Sequence, residues 1–200
     1  MDTISVPGRR IGSESAHNRT RFIDAAEEVL RDEGFPALTA RQVAARAGLK
    51  TQLLYYYFMT MDDLILALVR RVHQRRLARF EEALASPEPL REIWKLNSDA
   101  SDAALGSEIA SIATHREAVR AEIIQGAQHF RAIQIEAVSR LLVPGGVDKE
   151  SAAGLVMIAV ALARMIVVES SLGLTHGHAE ALAFVEDALA RHNAGKAEPA

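Results

Sequence analysis

The apolar residues Phe22, Ala25, Ala26, Val29 and Leu30 fall at i, i+3, i+4, i+7 and i+8, which is one face of an amphipathic helix that Gly34 ends. Intervals of this kind recur along the chain, and no stretch has the two-residue alternation between hairpin turns that marks a strand. The fold class that follows is all-α, with about nine helices. Helices of this number can bury their apolar stripes only against one another, so the remaining question is which surfaces stay uncovered.

Beyond "FPAL", Thr39 followed three residues later by Gln42 is a capping-box signature. It opens a short second helix with Val43, Ala44 and Ala47 inward, and Gly48 stops it. A third short helix runs from Thr51 to about Phe58, and Thr60 with Asp62 and Asp63 caps a fourth that passes through Leu64, Leu68, Val72 and Leu77 toward Leu84. "SPEP" at residues 86–89 breaks the pattern. Leu90, Ile93, Trp94 and Leu96 then form a core face, Arg116 to Leu142 reads as one long helix, and the last two helices span about 149–172 and 178–192. This pattern divides the chain into a flexible arm (1–18), a three-helix unit (19–60), a larger helical domain (61–194) and a fraying tail (195–200).

The third helix reads "TQLLYYYF". Residues advance about 100° each around a helix, so the three consecutive rings cannot all face one core. With Leu54 and Phe58 on the buried side, Tyr55 and Tyr57 flank it, and Gln52, Leu53 and Tyr56 share the outward arc, which carries no carboxylate. A short helix that follows a Gly-containing turn after another short helix is the helix-turn-helix arrangement, whose second helix enters the DNA major groove by its N-terminal end. Flanking tyrosine hydroxyls suit the phosphate ridges, Gln52 suits an adenine edge and Leu53 a thymine methyl. The alternatives are that Tyr55 and Tyr57 plug the seam to the next helix, or that the aromatic patch docks a protein.

These residues resemble the DNA-binding domain of tetracycline-repressor-like (TetR/AcrR) transcriptional regulators. The resemblance runs from about Thr20 to Leu68 and rests on the joint order of the helix-one alanines, "LTARQVAARAGL", "LYYYF" and the acidic start of helix four. It implies that Arg41, Thr51, Gln52 and Leu53 are base-facing or near-base, and that Tyr55 and Tyr57 touch phosphates; Lys50 and Tyr56 complete the candidate set. Met61 stands where the family usually has a phosphate-binding lysine, and Lys50 where serine is common. The resemblance further implies a ligand-responsive regulator, by default a repressor, bound to a double-stranded palindromic operator as a homodimer through its last two helices and released by a small-molecule effector that moves helix four.

The rest of the sequence bears on those expectations. Ala152 to Val168, "AAGLVMIAVALARMIVV", is apolar on all sides, so one side must meet another chain or a deep core. A membrane span is disfavoured by its 17 residues and by Arg164. Candidate effector contacts are Trp94, Asn97, His115, His129, Phe130, Met157 and Arg164, each of which also has an ordinary structural use. Arg164, within an apolar helix, calls for an anionic partner such as Glu169, a carboxylate across the dimer or an acidic ligand. The chain has no cysteine, which removes disulfides, thiolate catalysis and cysteine-bound zinc. No Gly-rich phosphate loop or nucleophile elbow is present, "THGH" is an isolated histidine pair, and the expectation is a cytoplasmic non-enzyme with no metal or cofactor. The net charge of −3 conceals a basic start, where Arg9, Arg10, Arg19 and Arg21 face Asp2 and Glu14. The competing reading is a helical small-molecule-binding or protein-interaction module with no DNA role.

Overall fold

The computed structural model describes residues 8–142 and 147–197. Among them are nine α-helices and no strand: α1 (Gly8–Glu33), α2 (Ala40–Ala47), α3 (Thr51–Tyr57), α4 (Met61–Leu84), α5 (Pro89–Asn97), α6 (Ala100–Ala113), α7 (Glu117–Leu142), α8 (Lys149–Ser171) and α9 (His178–Ala197). The all-α expectation holds. Two stretches differ from it. Residues 8–18, expected within a loose arm, belong to α1, because a helix anchored by its packed Phe22 face extends backward at one hydrogen bond per residue and the sequence offers no proline until Pro7. Residues 195–197, expected in a fraying tail, continue α9. The rest of the arm (1–7) and of the tail (198–200) lies outside the described residues.

The chain forms two compact units, and their division does not follow the boundary drawn at residue 60. The first comprises the chain to Val72 together with Leu105–Ile124. Its core is built on α1: Phe22, Ala26, Val29 and Leu30 have no exposed surface and meet Val43 of α2, Leu54 of α3, Leu64 and Leu68 of α4, Ile112 of α6 and Val119 of α7. Three helices of this length do not enclose a core alone, so the start of α4 and the α6–α7 segment complete it. Gly34 ends α1 with φ 77°, and the following Phe35 amide donates to Glu108 at 2.8 Å, which ties the α1 exit to α6.

The second unit comprises His73–Ala104 and Gln125–Ala200. Its core joins Phe80 and Ala83 of α4, Ile93 and Leu96 of α5, Phe130 and Val138 of α7, and Val156 and Val160 of α8. Phe80 and Phe130 meet edge to face at 5.3 Å. At Gly126 the α7 backbone lies directly against the His73 ring, close enough that a β-carbon there would overlap it. Arg79 clamps the α5–α6 junction by donating to Asp99 at 2.8 Å and to Asp102. The Arg79 hydrogen bond, aided by the Asp102 and Ser101 amides, holds the Asp99 carboxyl below its usual range against the opposing effect of burial.

Gly126→Ala should therefore lower stability by about 1–3 kcal/mol through overpacking, with a smaller cost in a His73→Ala background, read from urea unfolding midpoints. Asp99 has a depressed folded pKa, so its contribution is fully present above the unfolded value and lost as pH falls through the folded one. Arg79→Met should flatten the loss of stability below about pH 4, measured by unfolding across the acid limb.

Candidate nucleic-acid interface

The α2–α3 corner is fixed by backbone chemistry at both ends of α2. Thr39 caps its start by accepting from the Gln42 amide at 3.2 Å. The reciprocal half of the expected capping box is missing, because the Gln42 side chain donates instead to both Glu33 oxygens at 3.0 and 2.9 Å. At the other end the Leu49 amide reaches the Ala44 carbonyl and the Gly48 amide the Ala45 carbonyl, both at 3.0 Å, with Gly48 at φ 64°. This paired arrangement is a Schellman cap, whose left-handed residue sets the direction in which α3 leaves. Arg21 adds a side-chain cap, donating to the Ala47 carbonyl at 2.6 Å, and Arg46 ties α2 to α1 through Asp32 at 2.8 Å and Glu33 at 2.6 Å.

On α3, Leu54 is fully buried and Tyr56 is 75% exposed, with Gln52 and Tyr55 also exposed. Leu53, expected on the outward arc, is half-buried and packs on the core, as does Tyr57, which tilts against Phe22 with ring centroids 6.1 Å apart. The buried arc is thus rotated toward Leu53 and Tyr57. The reason is that Phe58, counted as a helical core residue, is the extended C-cap and fills the core from outside the helix, with Arg19 over its ring. Tyr56 meets Tyr57 edge to face at 5.1 Å, so the half-buried ring steadies the exposed one. Gly48, Leu49, Lys50, Gln52, Leu53 and Tyr56 line a shallow concavity.

The surrounding charges are unevenly used. Arg31, Arg46, Arg70, Arg71 and Arg116 all pair with carboxylates within this unit. Arg41, in the first turn of α2, and Lys50, the N-cap of α3, are exposed and form no ion pair among the described residues. Thr51 opens α3 and is half-buried. Met61 is half-buried against the core, so the position where the resemblance expects a lysine carries no charge. Thr60 and Asp63 cap α4 reciprocally, the Thr60 amide donating to Asp63 at 2.9 Å and the Asp63 amide to the Thr60 hydroxyl at 3.1 Å. Together these features give a rigid corner with an acid-free, cationic and aromatic outer face.

The second unit holds a cavity of about 270 Å³ among α5, α7, α8 and α9. Trp94 and Asn97 line it; the other five candidate effector residues do not. His115, on the turn before α7, and His129 are exposed. Phe130 is taken up by the core beside Phe80, and Met157 is half exposed on α8 beside Arg131. Arg164 is exposed rather than embedded, and Glu169, offered as its partner, accepts from His178 at 2.7 Å across the α8–α9 turn. Sequence reasoning missed Gln134, Leu155 and His192, which line the cavity. For Gln134 a signal existed: it sits four residues after Phe130 and four before Val138, a polar residue in a core register. Among the described residues no group of three or more His, Asp or Glu is placed to hold a metal ion.

Comparison with known proteins bears on both units. Residues 22–68 match the family described as bacterial regulatory proteins, tetR family. The HTH-type transcriptional regulator UidR of Escherichia coli (strain K12) is 29% identical over 72 residues, 36% of this chain and 37% of that one. The chain thus spans little more than a third of the length of that curated relative. A transcriptional regulator from Rhodococcus sp. Rha1 has the same fold, with TM-score 0.64 at 18% identity over 87% of this chain and 92% of that one. The multidrug binding protein EbrR, solved with imidazole, gives TM-score 0.54 at 26% identity over 77% and 82% of the two chains.

Replacing Gly48 by alanine would force an L-residue into the left-handed region that the corner requires. The expected cost is about 1–2 kcal/mol in urea unfolding, since only glycine adopts that geometry without strain.

Proposed function

Because the chain belongs to the tetR family of bacterial regulatory proteins through its helix-turn-helix segment, we propose that it is a DNA-binding transcriptional regulator that holds a palindromic operator as a homodimer and is released by a small molecule. The observation that carries this reading is the outer face of α3, where Gln52, Tyr55 and Tyr56 stand exposed after the exposed N-cap Lys50 with no carboxylate among them, while Arg41 is exposed in the first turn of α2. An ordinary solvated helix would mix charges of both signs there. In the groove, Gln52 and Thr51 read base edges, Leu53 adds an apolar contact from its half-buried position, Tyr55 and Tyr57 position on phosphates, and Arg41 and Lys50 supply charge. Repression is the default action.

The homodimer reading is supported by α8 and α9. Helix α8 is long and apolar enough to cross a membrane by composition, with mean hydropathy 2.2, yet only 22% of that window is buried. Its inner seam is Ala152, Val156, Val160 and Ala163, while Leu155, Ile158, Met165, Val168 and Leu172 remain exposed, with Phe184 of α9 exposed as well. A contiguous apolar surface of this kind requires cover. A second copy provides it by twofold symmetry and sets two α3 helices at the spacing of one DNA turn, about 34 Å. Helix α4 is separated from α3 by three residues and contributes to both compact units, which makes it the element through which effector binding would act. The small-molecule effector is supported by the apolar cavity and by the likeness to EbrR, a multidrug binding protein.

Selection of random DNA by the purified protein should return a palindrome, and gel-shift affinity for it should fall steeply with salt, at a slope of about 0.9 per phosphate neutralised. Tyr55→Phe should weaken all sequences together, whereas Gln52→Ala should change the preferred base at one position of each half-site by about 1–3 kcal/mol. Binding that is insensitive to both changes would exclude α3 as the reading helix. Ile158→Asp with Phe184→Asp should convert a dimer to a monomer in light scattering and abolish operator binding while helicity is kept.

A further inference from the structure

The cavity of the second unit is almost wholly apolar; Trp94, Asn97, Gln134 and His192 bring the polar atoms of its lining, and Asn97 and Gln134 are joined to Arg76 behind them in a definite donor-acceptor order. Arg76 begins the chain. Its guanidinium lies over the Phe130 ring at 4.4 Å and donates to the Asn97 side-chain oxygen at 3.3 Å. Arginine has only donors, so it fixes the Asn97 amide with its oxygen toward Arg76. That same oxygen faces the Gln134 amide nitrogen at 3.5 Å, which in turn fixes the orientation of Gln134. The consequence falls on the last atom of the chain. The Gln134 side-chain oxygen is buried, belongs to a residue only 1% exposed that lines the cavity, and accepts no hydrogen bond among the described residues. A buried acceptor without a donor is destabilising, and the residue that carries it lines the apolar cavity.

What would complete it is constrained in three ways. The missing group must be a hydrogen-bond donor, because the orphan is an acceptor. It should be uncharged. A cationic ligand that donated to Gln134 would be buried on the same hydrogen-bonded chain as the Arg76 guanidinium, while a carboxylate would set its oxygens against the Gln134 oxygen. The remainder of the ligand must be apolar and small, since the walls are residues such as Leu90, Ile93, Val138, Leu155 and Leu162, and 270 Å³ lies just under the range of about 300–1,000 Å³ typical of drug-sized ligands.

We infer that the cavity takes a neutral, compact, mostly apolar molecule bearing one hydroxyl or N–H group, such as a simple alkylphenol, and that the Gln134 oxygen accepts from that group. This inference rests on the reading of the cavity as the effector site and names the chemistry of the effector. Gln134 is the specificity-determining residue, Asn97 and Arg76 are positioning residues, and Trp94 is part of the apolar wall.

The test uses the full-length protein and direct binding by calorimetry with four probes that share one body: 4-propylphenol, 4-propylanisole, 4-propylbenzoate and 4-propylbenzylamine. The phenol should bind at least about five-fold more tightly than the anisole, in which the donor is methylated, and more tightly than either charged probe. In Gln134→Met, which keeps length and removes the acceptor, the phenol-to-anisole ratio should fall to within about two-fold of unity. An anisole as good as the phenol, tighter binding of a charged probe, a preference that survives in a folded Gln134→Met protein, or no phenol binding up to its solubility would each overturn the inference; the wild-type series decides even if the variant fails to fold. Gel shifts with and without 4-propylphenol form a separate arm. Phenol that binds without releasing DNA would remove the effector reading and leave the ligand chemistry standing, and a protein that binds no DNA under any condition would remove the regulator reading while the calorimetry still stands.

Discussion

The burial of one face of α1 underlies the first unit. Phe22, Ala26, Val29 and Leu30 are without exposed surface, and they form the floor on which α2 and α3 rest. Helices of 8 and 7 residues lie well below the length at which a helix is stable in water, so neither would exist without that floor and its caps. The arrangement has a functional consequence. Because stability comes from Leu54, Phe58 and the half-buried Leu53 and Tyr57, the outward positions of α3 carry no structural duty. Gln52, Tyr55 and Tyr56 are therefore available to contact another molecule, and their identities can differ from those of related regulators without cost to the fold.

Electrostatics in this unit follows the same economy. A net charge of −3 looks unfavourable for a nucleic-acid partner until the cations are sorted by what they touch. Arg31, Arg46, Arg70, Arg71 and Arg116 are neutralised by carboxylates of the unit, and Arg21 is held on the Ala47 carbonyl. The more open of these pairs, those of Arg46, Arg70 and Arg116, contribute little to stability, about 0–1 kcal/mol each, while Arg31 and Arg71 share the buried Glu27, and all of them keep the flanks of the unit close to neutral. Arg41 and Lys50, which form no ion pair among the described residues, sit at the N-terminal ends of α2 and α3, where the helix dipoles add positive potential. Local field, rather than total charge, determines where an anionic polymer is attracted.

Helices were legible in the sequence wherever one period and one cap agreed. Thr39, Gly48 and the Thr60–Asp63 pair end or begin helices where their chemistry requires, and the periodicity of α1, α4 and α7 marks their buried faces. What the sequence could not supply was the direction of packing. Leu53 reads as outward on a wheel centred between Leu54 and Phe58, but the wheel turns once Phe58 leaves the helix, and that is decided by the chain path into α4. The candidate effector residues divide by the same rule. Trp94 and Asn97 lie on α5, whose apolar stripe is strong and whose buried face is unambiguous. His115 and His129 are suggested by residue type and Arg164 by its apolar neighbours in sequence, and neither says which side of a helix meets a cavity. Gln134 was the converse case, a polar side chain identifiable by register rather than by type.

The second unit ties two needs to the same two helices. Leu155 and Ile158 of α8 and Phe184 of α9 line the cavity, and all three also belong to the exposed apolar surface. A ligand that fills the space beneath them changes the packing of side chains that a second copy would cover. Binding and association then share a free-energy term, and by linkage each must alter the other to the same degree. The sign depends on how well the filled cavity holds Leu155, Ile158 and Phe184 in the conformation that the interface accepts. A ligand that orders them lowers the entropic cost of association, and one that displaces Phe184 raises it. Under the proposed pairing of two copies through α8 and α9, occupancy of the cavity would act on that interface as well as on α4. Both routes begin from the same 270 Å³ of apolar space, and the interface route is the one that a monomer could not use.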